Sequence, residues 1–380
     1  MSLRHLVVLG ATGSIGERAL EVAGELSLPV AGVAARTPGE GLARVAERHP
    51  DARVIATGGS SAERAGFLER VPRAEFGHEA LSDVAATPGA TVVNAVVGAA
   101  GLPATMSAIA AGNRLALANK ESLVAGGRLV MAALETSGAE LIPVDSEHSA
   151  LFQLLERTPA PEVERLILTA SGGPFRGMTA DSLEEVTPAE ALAHPTWDMG
   201  RRISVDSATL ANKGLEVIEA HVLFGLPLER IGVVVHPQSV VHSLIQLTDG
   251  ALLAHLGAPD MRVPIRYALT HPERTPGATV PFSLTEQALT FEPPDLDSFP
   301  ALRLAYEAGR AGGSAPAAYN AADEVAVAAF LQGRIGFRSI SRIIERTMDA
   351  AEWRVPGSVE DVFDVDREAR SVAASMIGSC

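Results

Sequence analysis

Lysine is almost missing from this chain of 380 residues, whose 31 lysines and arginines include only two lysines, Lys120 and Lys213. Both follow an asparagine and stand beside small polar residues or glycine, which is unlike the charged face of a solvated helix. A compact ammonium on a flexible stem can do what a planar guanidinium cannot. Both lysines are therefore candidate site residues.

Cysteine, net positive charge and long apolar runs are also scarce. The single cysteine is the last residue, Cys380, which excludes a disulfide framework and a thiolate metal site. The formal net charge of -15 excludes a broad nucleic-acid surface, because phosphate-backbone binding needs clustered cations. The longest apolar stretch, 91–111, is broken by an asparagine, glycines and a proline, which favours a buried strand, turn and helix over a membrane span.

The chain begins directly in an apolar strand at Leu6, so we expect no signal peptide. Together with the scarcity of cysteine, this favours a reducing compartment. We expect a cytoplasmic protein that binds neither nucleic acid nor membrane.

Short runs of valine, leucine and isoleucine alternate with helical patterns over residues 1–145, which predicts an α/β domain built on a doubly wound parallel sheet. Residues 146–270 contain further strands separated by long polar loops and predict a central α+β domain. The proline-rich segment 271–300 is typical of an extended linker. Helical patterns over 301–380, including a capping box at Ser358, predict a small α-helical domain at the end of the chain.

A glycine-rich turn follows the first strand and opens a helix, as a dinucleotide fingerprint requires. Its glycines are Gly10, Gly13 and Gly16, in the spacing G-x-x-G-x-x-G. At the end of the second strand, where an NAD enzyme usually has a carboxylate, the chain has Arg36. A guanidinium can pair with a 2′-phosphate, so NADPH is favoured over NADH.

Asp145 and Glu147 follow a predicted strand, and residues two apart on an extended chain point the same way. With Glu216 they would give three oxygen ligands, as Mg²⁺ or Mn²⁺ prefers. His148, on a helix predicted to begin here, is expected to face away from the carboxylate pair and to be a capping or surface residue. The sequence therefore predicts a hard-cation site without histidine.

Two segments, 168–174 and 204–213, combine hydroxyl groups, exposed amides and an ammonium, which together favour a phosphate monoester. Between them a capping box at Thr187 starts a helix that must stop before Pro195. This places His194 at a helix C-terminus, where the dipole favours the imidazolium form. Trp197 follows on a loop and is expected to close over a bound ligand.

The ordered motifs are similar to those of one known family. They run from Gly10 to Gly16, Asn119 to Ser122, Val144 to His148, Ser171 to Phe175, His194 to Trp197, Asn212 to Glu216, His236 to Ser239, and Gly257 to Arg262. In this order they resemble the 1-deoxy-D-xylulose 5-phosphate reductoisomerases, which make 2-C-methyl-D-erythritol 4-phosphate for isoprenoid precursors. The segment Asn320 to Glu324 resembles a further family segment.

The resemblance implies a homodimer with a Rossmann-like NADPH domain, a central catalytic domain with a flap at about 171–201, and a C-terminal helical domain. It implies three sets of site residues. The metal, Mg²⁺ or Mn²⁺ with Co²⁺ as a further candidate, would be held by Asp145, Glu147 and Glu216. The phosphorylated sugar would be held by Lys120, Ser146, Glu147, Ser171, His194, Trp197, Ser207, Asn212, Lys213 and Glu216. NADPH would be held by Gly10, Thr12, Gly13, Ser14, Ile15, Ala35, Arg36, Thr37, Asn119, Glu121 and Gly200.

Lys120 and Glu147 are the expected catalytic residues, Lys120 as a positive charge beside a developing alkoxide and Glu147 in proton transfer. Two alternatives stay open: another NADPH-dependent reductase of a small phosphorylated metabolite, and an NADPH-sensing protein without turnover. A semialdehyde reductase would need a catalytic cysteine, which Cys380 cannot plausibly supply. A sensor would not need the three carboxylates.

Overall fold

A computed structural model describes residues 5–197, 199–285, 287–350, 352 and 354–379. The strands are β1 (Leu6–Leu9), β2 (Val30–Ala35), β3 (Arg53–Ala56), β4 (Ala74–Phe76), β5 (Thr91–Asn94), β6 (Arg114–Leu117), β7 (Glu140–Pro143), β8 (Val163–Ala170), β9 (Ile231–Val235), β10 (Val241–Leu247) and β11 (Leu252–Leu256).

The α-helices fall between the strands in the first part of the chain and follow one another after residue 300. They are α1 (Ser14–Glu25), α2 (Glu40–Arg48), α3 (Ser61–Arg70), α4 (His78–Ala85), α5 (Leu102–Ala110), α6 (Lys120–Ser137), α7 (Ser146–Leu155), α8 (Pro188–Leu192), α9 (Arg201–Ala208), α10 (Ala211–Phe224), α11 (Arg262–Thr270), α12 (Ala301–Ala311), α13 (Ala315–Leu331), α14 (Phe337–Asp349) and α15 (Val359–Met376).

Contacts group the described residues into two units, and the first comprises 5–122, 130–149 and 260–279. Its sheet has seven strands in the order β4-β3-β2-β1-β5-β6-β7, and every pairing is parallel. The central strands β1 and β5 are fully buried, which explains why β1 is apolar throughout and why Val92 and Val93 form the middle of β5. The predicted doubly wound parallel sheet is confirmed. β4 was not predicted from the sequence; it has three residues, and all are only half-buried.

The second unit comprises 123–129, 150–259 and the described residues from 280 onwards. Its sheet has the order β11-β10-β8-β9, with β8 and β9 parallel and the other neighbours antiparallel. One apolar core joins β8 and α10 to α12, α13 and α14, and Tyr319 and Phe330 are its largest fully buried side chains. The described residues after 300 contain helices and no strand, as predicted.

The predicted helix starts at Thr187 and Ser358 are both complete capping boxes in the structure. Thr187 accepts from the amide of Glu190, whose carboxylate reaches back to the amide of Thr187. Ser358 and Asp361 make the same reciprocal pair at the start of α15. Each box satisfies amide groups that a helix start leaves without an intrahelical partner.

The contact grouping differs from the predicted domain boundaries at the proline-rich segment. α11 packs against α1, and Arg262 and Arg266 of α11 pair with Glu21 and Glu25 of α1. Residues 260–279 therefore group with the parallel sheet, although composition had suggested a linker beginning at 271. No helix among the described residues is long and apolar enough to cross a membrane.

Candidate active-site residues

The glycine turn after β1 allows two close backbone approaches. Gly10 has φ +88°, and a Cβ there would lie 2.4 Å from the carbonyl oxygen of Ala95. A Cβ at Gly16 would lie 2.2 Å from the carbonyl oxygen of Gly10, so α1 can pack on this turn only with glycine. Gly13 precedes α1 without a side-chain cap, which leaves the amides of the first turn to an anion.

The next predicted cofactor residues lie where the neighbouring strand ends. Ala35 is the buried last residue of β2, whereas Arg36 and Thr37 are exposed. The carbonyl of Arg36 accepts a hydrogen bond of 2.7 Å from the amide of Gly58, which brings the loops after β2 and β3 together. A guanidinium therefore stands at the position where the adenosine ribose of a dinucleotide is bound in this fold.

Asn119 and Glu121 have a structural task that the sequence did not predict. Asn119 and Glu121 are buried, and the Asn119 side-chain amide donates to the carbonyls of Val96 (2.7 Å) and Gly98 (3.0 Å). Glu121 accepts from the amide of Gly98 at 3.0 Å. These two side chains fix the loop after β5, so their contact with a cofactor would run through that loop.

Asp145 lies between two cationic or proton-donating groups of the first unit. Its Oδ2 is 3.0 Å from Lys120 Nζ, and its Oδ1 is 2.9 Å from His148 Nδ1. Oδ1 also accepts from the amides of Glu147 (3.2 Å) and His148 (3.4 Å), so Asp145 caps α7. The aspartate is thus oriented from both sides, as ligating carboxylates are in metal sites.

Two expectations about this segment were wrong. Asp145 and Glu147 do not lie on extended chain, because α7 begins at Ser146 and places Glu147 in its first turn. His148 is fully buried and faces Asp145, because the side chain three residues into a helix lies over its N-cap. The carboxylates converge nevertheless, with one oxygen from each within 4.8 Å of the other.

Ser146 precedes Glu147 and its Oγ donates to Glu147 Oε2 at 2.5 Å. Both residues are half-buried, as is Asp145. The first unit therefore offers two oriented carboxylates with a hydroxyl and an ammonium beside them. Oxygen ligands of this kind suit Mg²⁺ or Mn²⁺ and are poorly matched to a soft metal.

Within the second unit, Ser171 and His194 form a hydrogen bond of 2.8 Å between Oγ and Nε2. His194 Nδ1 accepts from the backbone amides of Thr196 (3.2 Å) and Trp197 (2.9 Å). Because Nδ1 is an acceptor, the ring proton is on Nε2 and is donated to Ser171. The serine hydroxyl can then donate its own proton to a ligand.

The expectation that His194 is held as imidazolium was wrong. α8 is only five residues long and ends at Leu192, so it contributes little dipole. Burial instead lowers the pKa of His194 from its ordinary value, which favours the neutral ring. His194 therefore acts as a neutral hydrogen-bond donor to Ser171.

Ser207, Asn212, Lys213 and Glu216 lie on two consecutive helices of the second unit. Ser207 is in α9, and Leu210, with φ +61°, turns the chain into α10. In the first turns of α10, Asn212 Nδ2 donates to Glu216 Oε1 at 2.5 Å, and Lys213 Nζ pairs with Glu216 Oε2. Lys213 and Glu216 are almost fully buried, so each compensates the charge of the other.

His242 was missed by the sequence reading. It lies on β10, is nearly buried, and its ring centroid is 6.4 Å from that of Trp197. Burial, followed by the charge of His255, lowers its pKa to about 4. The signal available in the sequence was a histidine among the leucines, valine and isoleucine of β10.

Together, the parallel sheet with its glycine turn and the oriented carboxylates define a nucleotide- and metal-dependent enzyme of the oxidoreductase class. Residues 6–127 match the family 1-deoxy-D-xylulose 5-phosphate reductoisomerase, residues 141–224 match its C-terminal domain, and residues 256–372 match the DXP reductoisomerase C-terminal domain. The chain belongs to the 1-deoxy-D-xylulose 5-phosphate reductoisomerase family.

Full-length relatives support this membership. The 1-deoxy-D-xylulose 5-phosphate reductoisomerase of Chlorobium chlorochromatii is 48% identical, with 99% of this chain and 100% of the relative covered. That of Xanthomonas campestris pv. campestris (strain 8004) is 50% identical, with 97% and 96% covered.

Solved structures of the same family are also similar. The Zymomonas mobilis enzyme in complex with NADPH is 42% identical with a TM-score of 0.90, and 99% of this chain and 100% of that chain are covered. A DOX-P reductoisomerase in complex with NADPH, fosmidomycin and magnesium is 36% identical with a TM-score of 0.92, and 99% and 98% are covered.

Proposed function

We propose that this protein converts 1-deoxy-D-xylulose 5-phosphate to 2-C-methyl-D-erythritol 4-phosphate, with NADPH as reductant and a divalent cation as Lewis acid. The observation that carries the proposal is Asp145, held between Lys120 and His148 at 3.0 and 2.9 Å with the Glu147 carboxylate beside it. An NADPH-sensing protein would have no use for this cluster. The family membership supplies the reaction.

The metal ligands we propose are Asp145, Glu147 and Glu216. All three are carboxylates, the donors that Mg²⁺ and Mn²⁺ select. A bound cation would supply Lewis-acid stabilisation of negative oxygen during rearrangement and reduction, and NADPH would supply the hydride. Lys120 adds a second positive charge near that oxygen. Glu147, hydrogen-bonded to Ser146, holds and returns a proton at the substrate hydroxyls.

The substrate phosphate is proposed to bind Ser171, Ser207, Asn212 and Lys213. His194 donates to Ser171 Oγ and leaves the serine proton directed to the phosphate. Trp197, on the proposed flap of about 171–201, would cover the ligand. Phosphate binding energy can thus be used to close the flap and orient the reacting carbons.

NADPH is proposed to bind at the start of α1 and at the end of β2. The amides from Thr12 to Ile15 would bind the pyrophosphate, and Arg36 would pair with the 2′-phosphate. Ala35 and Thr37 flank that pairing, Asn119 and Glu121 act through the loop that they fix, and Gly200 contributes backbone at the start of α9.

We further propose that the protein is a cytoplasmic homodimer. β11 is the edge strand of its described sheet, and Leu252, Leu253 and Leu256 on it are exposed. An apolar edge strand of this kind pairs readily with another chain unless it is covered. A second copy would cover it.

The decisive test is NADPH oxidation on addition of 1-deoxy-D-xylulose 5-phosphate, followed by absorbance, with Mg²⁺ or Mn²⁺ present and then with a chelator. We expect turnover with metal, loss of turnover with chelator, and 2-C-methyl-D-erythritol 4-phosphate as the product. Glu147→Gln should lose turnover in the same assay while NADPH binding is kept. NADPH binding without turnover under every metal would instead support the sensor.

A further inference from the structure

Arg202, in the first turn of α9, is bound by side chains of α13. Its Nη1 donates to Glu324 Oε1 at 2.9 Å, and its Nη2 donates to Asn320 Oδ1 at 2.9 Å. Nη2 also lies 3.3 Å from Asp323 Oδ2. Asn320 and Asp323 are fully buried, so this guanidinium connects α9 to the interior of the helical part of the second unit.

Further charges extend this cluster to α15. Asp206, one turn along α9, places Oδ2 3.3 Å from Arg202 Nε. Arg370 of α15 pairs with both Glu324 (2.5 Å) and Asp366 (2.6 Å). Four carboxylates thus share two guanidiniums, and breaking a buried pair by removing one partner is strongly unfavourable. The side chains of α13 and α15 therefore fix the position of Arg202 and, through it, the position of α9.

α9 needs such external support. It has eight residues, and Gly200 at its N-cap makes no side-chain cap. Arg201 and Arg202 stand at its N-terminus, where the helix dipole opposes positive charge. A helix this short is marginal alone and is ordered by tertiary contacts. The acidic side chains of α13 therefore compensate the arginine and fix the helix at the same time.

Residues at the other end of α9 belong to the proposed phosphate pocket. Ser207 is in its last turn, and the left-handed turn at Leu210 leads directly to Asn212 and Lys213 of α10. A shift of α9 would move Ser207 relative to these two donors. A misplacement of about 1 Å in a positioned site can cost about 10²-fold in rate.

We propose that Arg202 is a positioning residue for the substrate phosphate, through which α13 and α15 set the position of Ser207. This inference rests on the proposed function, because Ser207 is assigned to the phosphate only there. Arg202 itself touches neither substrate nor cofactor in this proposal. Its effect is confined to one binding step.

Steady-state kinetics of Arg202→Met, Arg202→Lys and a control test the proposal. For Arg202→Met we expect the KM for 1-deoxy-D-xylulose 5-phosphate to rise about tenfold or more and the KM for NADPH to stay within about twofold. Arg202→Lys keeps one charge without the fork and should be intermediate. The matched control is Arg303→Met, which should match the wild type. Arg303 of α12 also pairs with two glutamates, Glu307 of α12 and Glu345 of α14, and neither of these is on α9.

A purely stabilising role would give a different pattern. It would reduce the folded fraction of Arg202→Met, so that the maximal rate and melting temperature fall while both KM values stay at wild-type levels; this result would overturn the proposal. If Arg202→Met is too unstable to assay, Arg202→Lys decides by the same criterion. Absence of turnover in the wild type would overturn the proposed function itself, so the two failures are distinguishable.

A double-mutant cycle with Ser207→Ala identifies the residue through which Arg202 acts. If Arg202 positions Ser207, the KM increase of the double variant should be clearly smaller than the product of the two single increases. Multiplication of the two increases would show that Arg202 acts without Ser207 and would overturn the proposed route.

Discussion

At the scale of single residues, the two lysines of the chain are each paired with a carboxylate. Lys120 pairs with Asp145, and Lys213 pairs with Glu216. Both lysines are buried, and a compact ammonium needs less space beside a carboxylate than a planar guanidinium does. The scarcity of lysine therefore identified two residues that the structure pairs with proposed metal-ligand carboxylates.

We expect Lys213→Ala to lower kcat/KM by about 10²–10³-fold, because the variant would lose a buried ammonium that we propose binds the substrate phosphate. NADPH affinity, measured by fluorescence titration, should remain near that of the wild type. Lys213→Arg should also be strongly impaired, since arginine is larger and Lys213 is buried. A parallel loss of NADPH affinity in Lys213→Ala would contradict the assignment to the phosphate.

His242 predicts a pH dependence of stability. Its pKa is lowered from 6.5 to about 4 in the folded protein. As the pH falls below 6.5, the unfolded chain binds a proton that the folded protein does not bind until about pH 4. The contribution of His242 to the free energy of unfolding should therefore fall across this window by about 3 kcal/mol and be unchanged above it.

Chemical denaturation at pH 7 and pH 4.5 measures this effect. Trp197, whose ring lies near His242, reports the transition when Trp353→Phe removes the other tryptophan. His242→Gln, made in the Trp353→Phe protein, should lose less stability between the two pH values than Trp353→Phe alone. Equal losses in the two proteins would show that His242 does not carry the effect.

At the scale of elements, the close packing of α1 on the glycine turn gives a matched pair of variants. Gly16→Ala places a Cβ 2.2 Å from the Gly10 carbonyl oxygen, so α1 must shift away from the turn. We expect a loss of about 1–3 kcal/mol in stability and weaker NADPH binding. Gly24→Ala, in the same helix with nothing within 4 Å, should be neutral or stabilising by up to about 1 kcal/mol.

Thermal denaturation and NADPH titration of both variants check this prediction. The informative result is the difference between them, because both make the same chemical change in one helix. If Gly16→Ala bound NADPH as tightly as Gly24→Ala, the turn would not be the pyrophosphate site.

The same scale shows why some elements could be predicted and others could not. Buried parallel strands require apolar residues on both faces, so β1 was predicted from its apolar run and β5 from Val92 and Val93 in the apolar stretch 91–111. β4 and β11 are edge strands with exposed or half-buried residues, and their sequences have no such pattern. α11 was missed because prolines surround it and its partner, α1, is about 240 residues away in sequence.

At the scale of the whole molecule, local motifs identified most candidate residues but not how they are held. Asp145 and Glu147 were singled out, yet the reason given for their convergence was wrong, because a helix start and not a strand orients them. His148 and His242 were dismissed or missed because their burial depends on tertiary packing. The role of Arg202 could not be predicted from the sequence for the same reason, since its partners on α13 lie more than 100 residues further along the chain.

The proposed homodimer gives the last prediction. β11 exposes Leu252 and Leu256, two positions that share one side of the strand. We expect the wild type to elute as a dimer in size-exclusion chromatography with light scattering, and Leu252→Lys/Leu256→Lys to elute as a monomer, because lysines on an edge strand oppose pairing with another chain. Leu68→Lys, an exposed leucine of α3, is the matched control and should stay dimeric. A monomeric wild type at micromolar concentration, or a dimeric double variant, would show that two copies do not associate through β11.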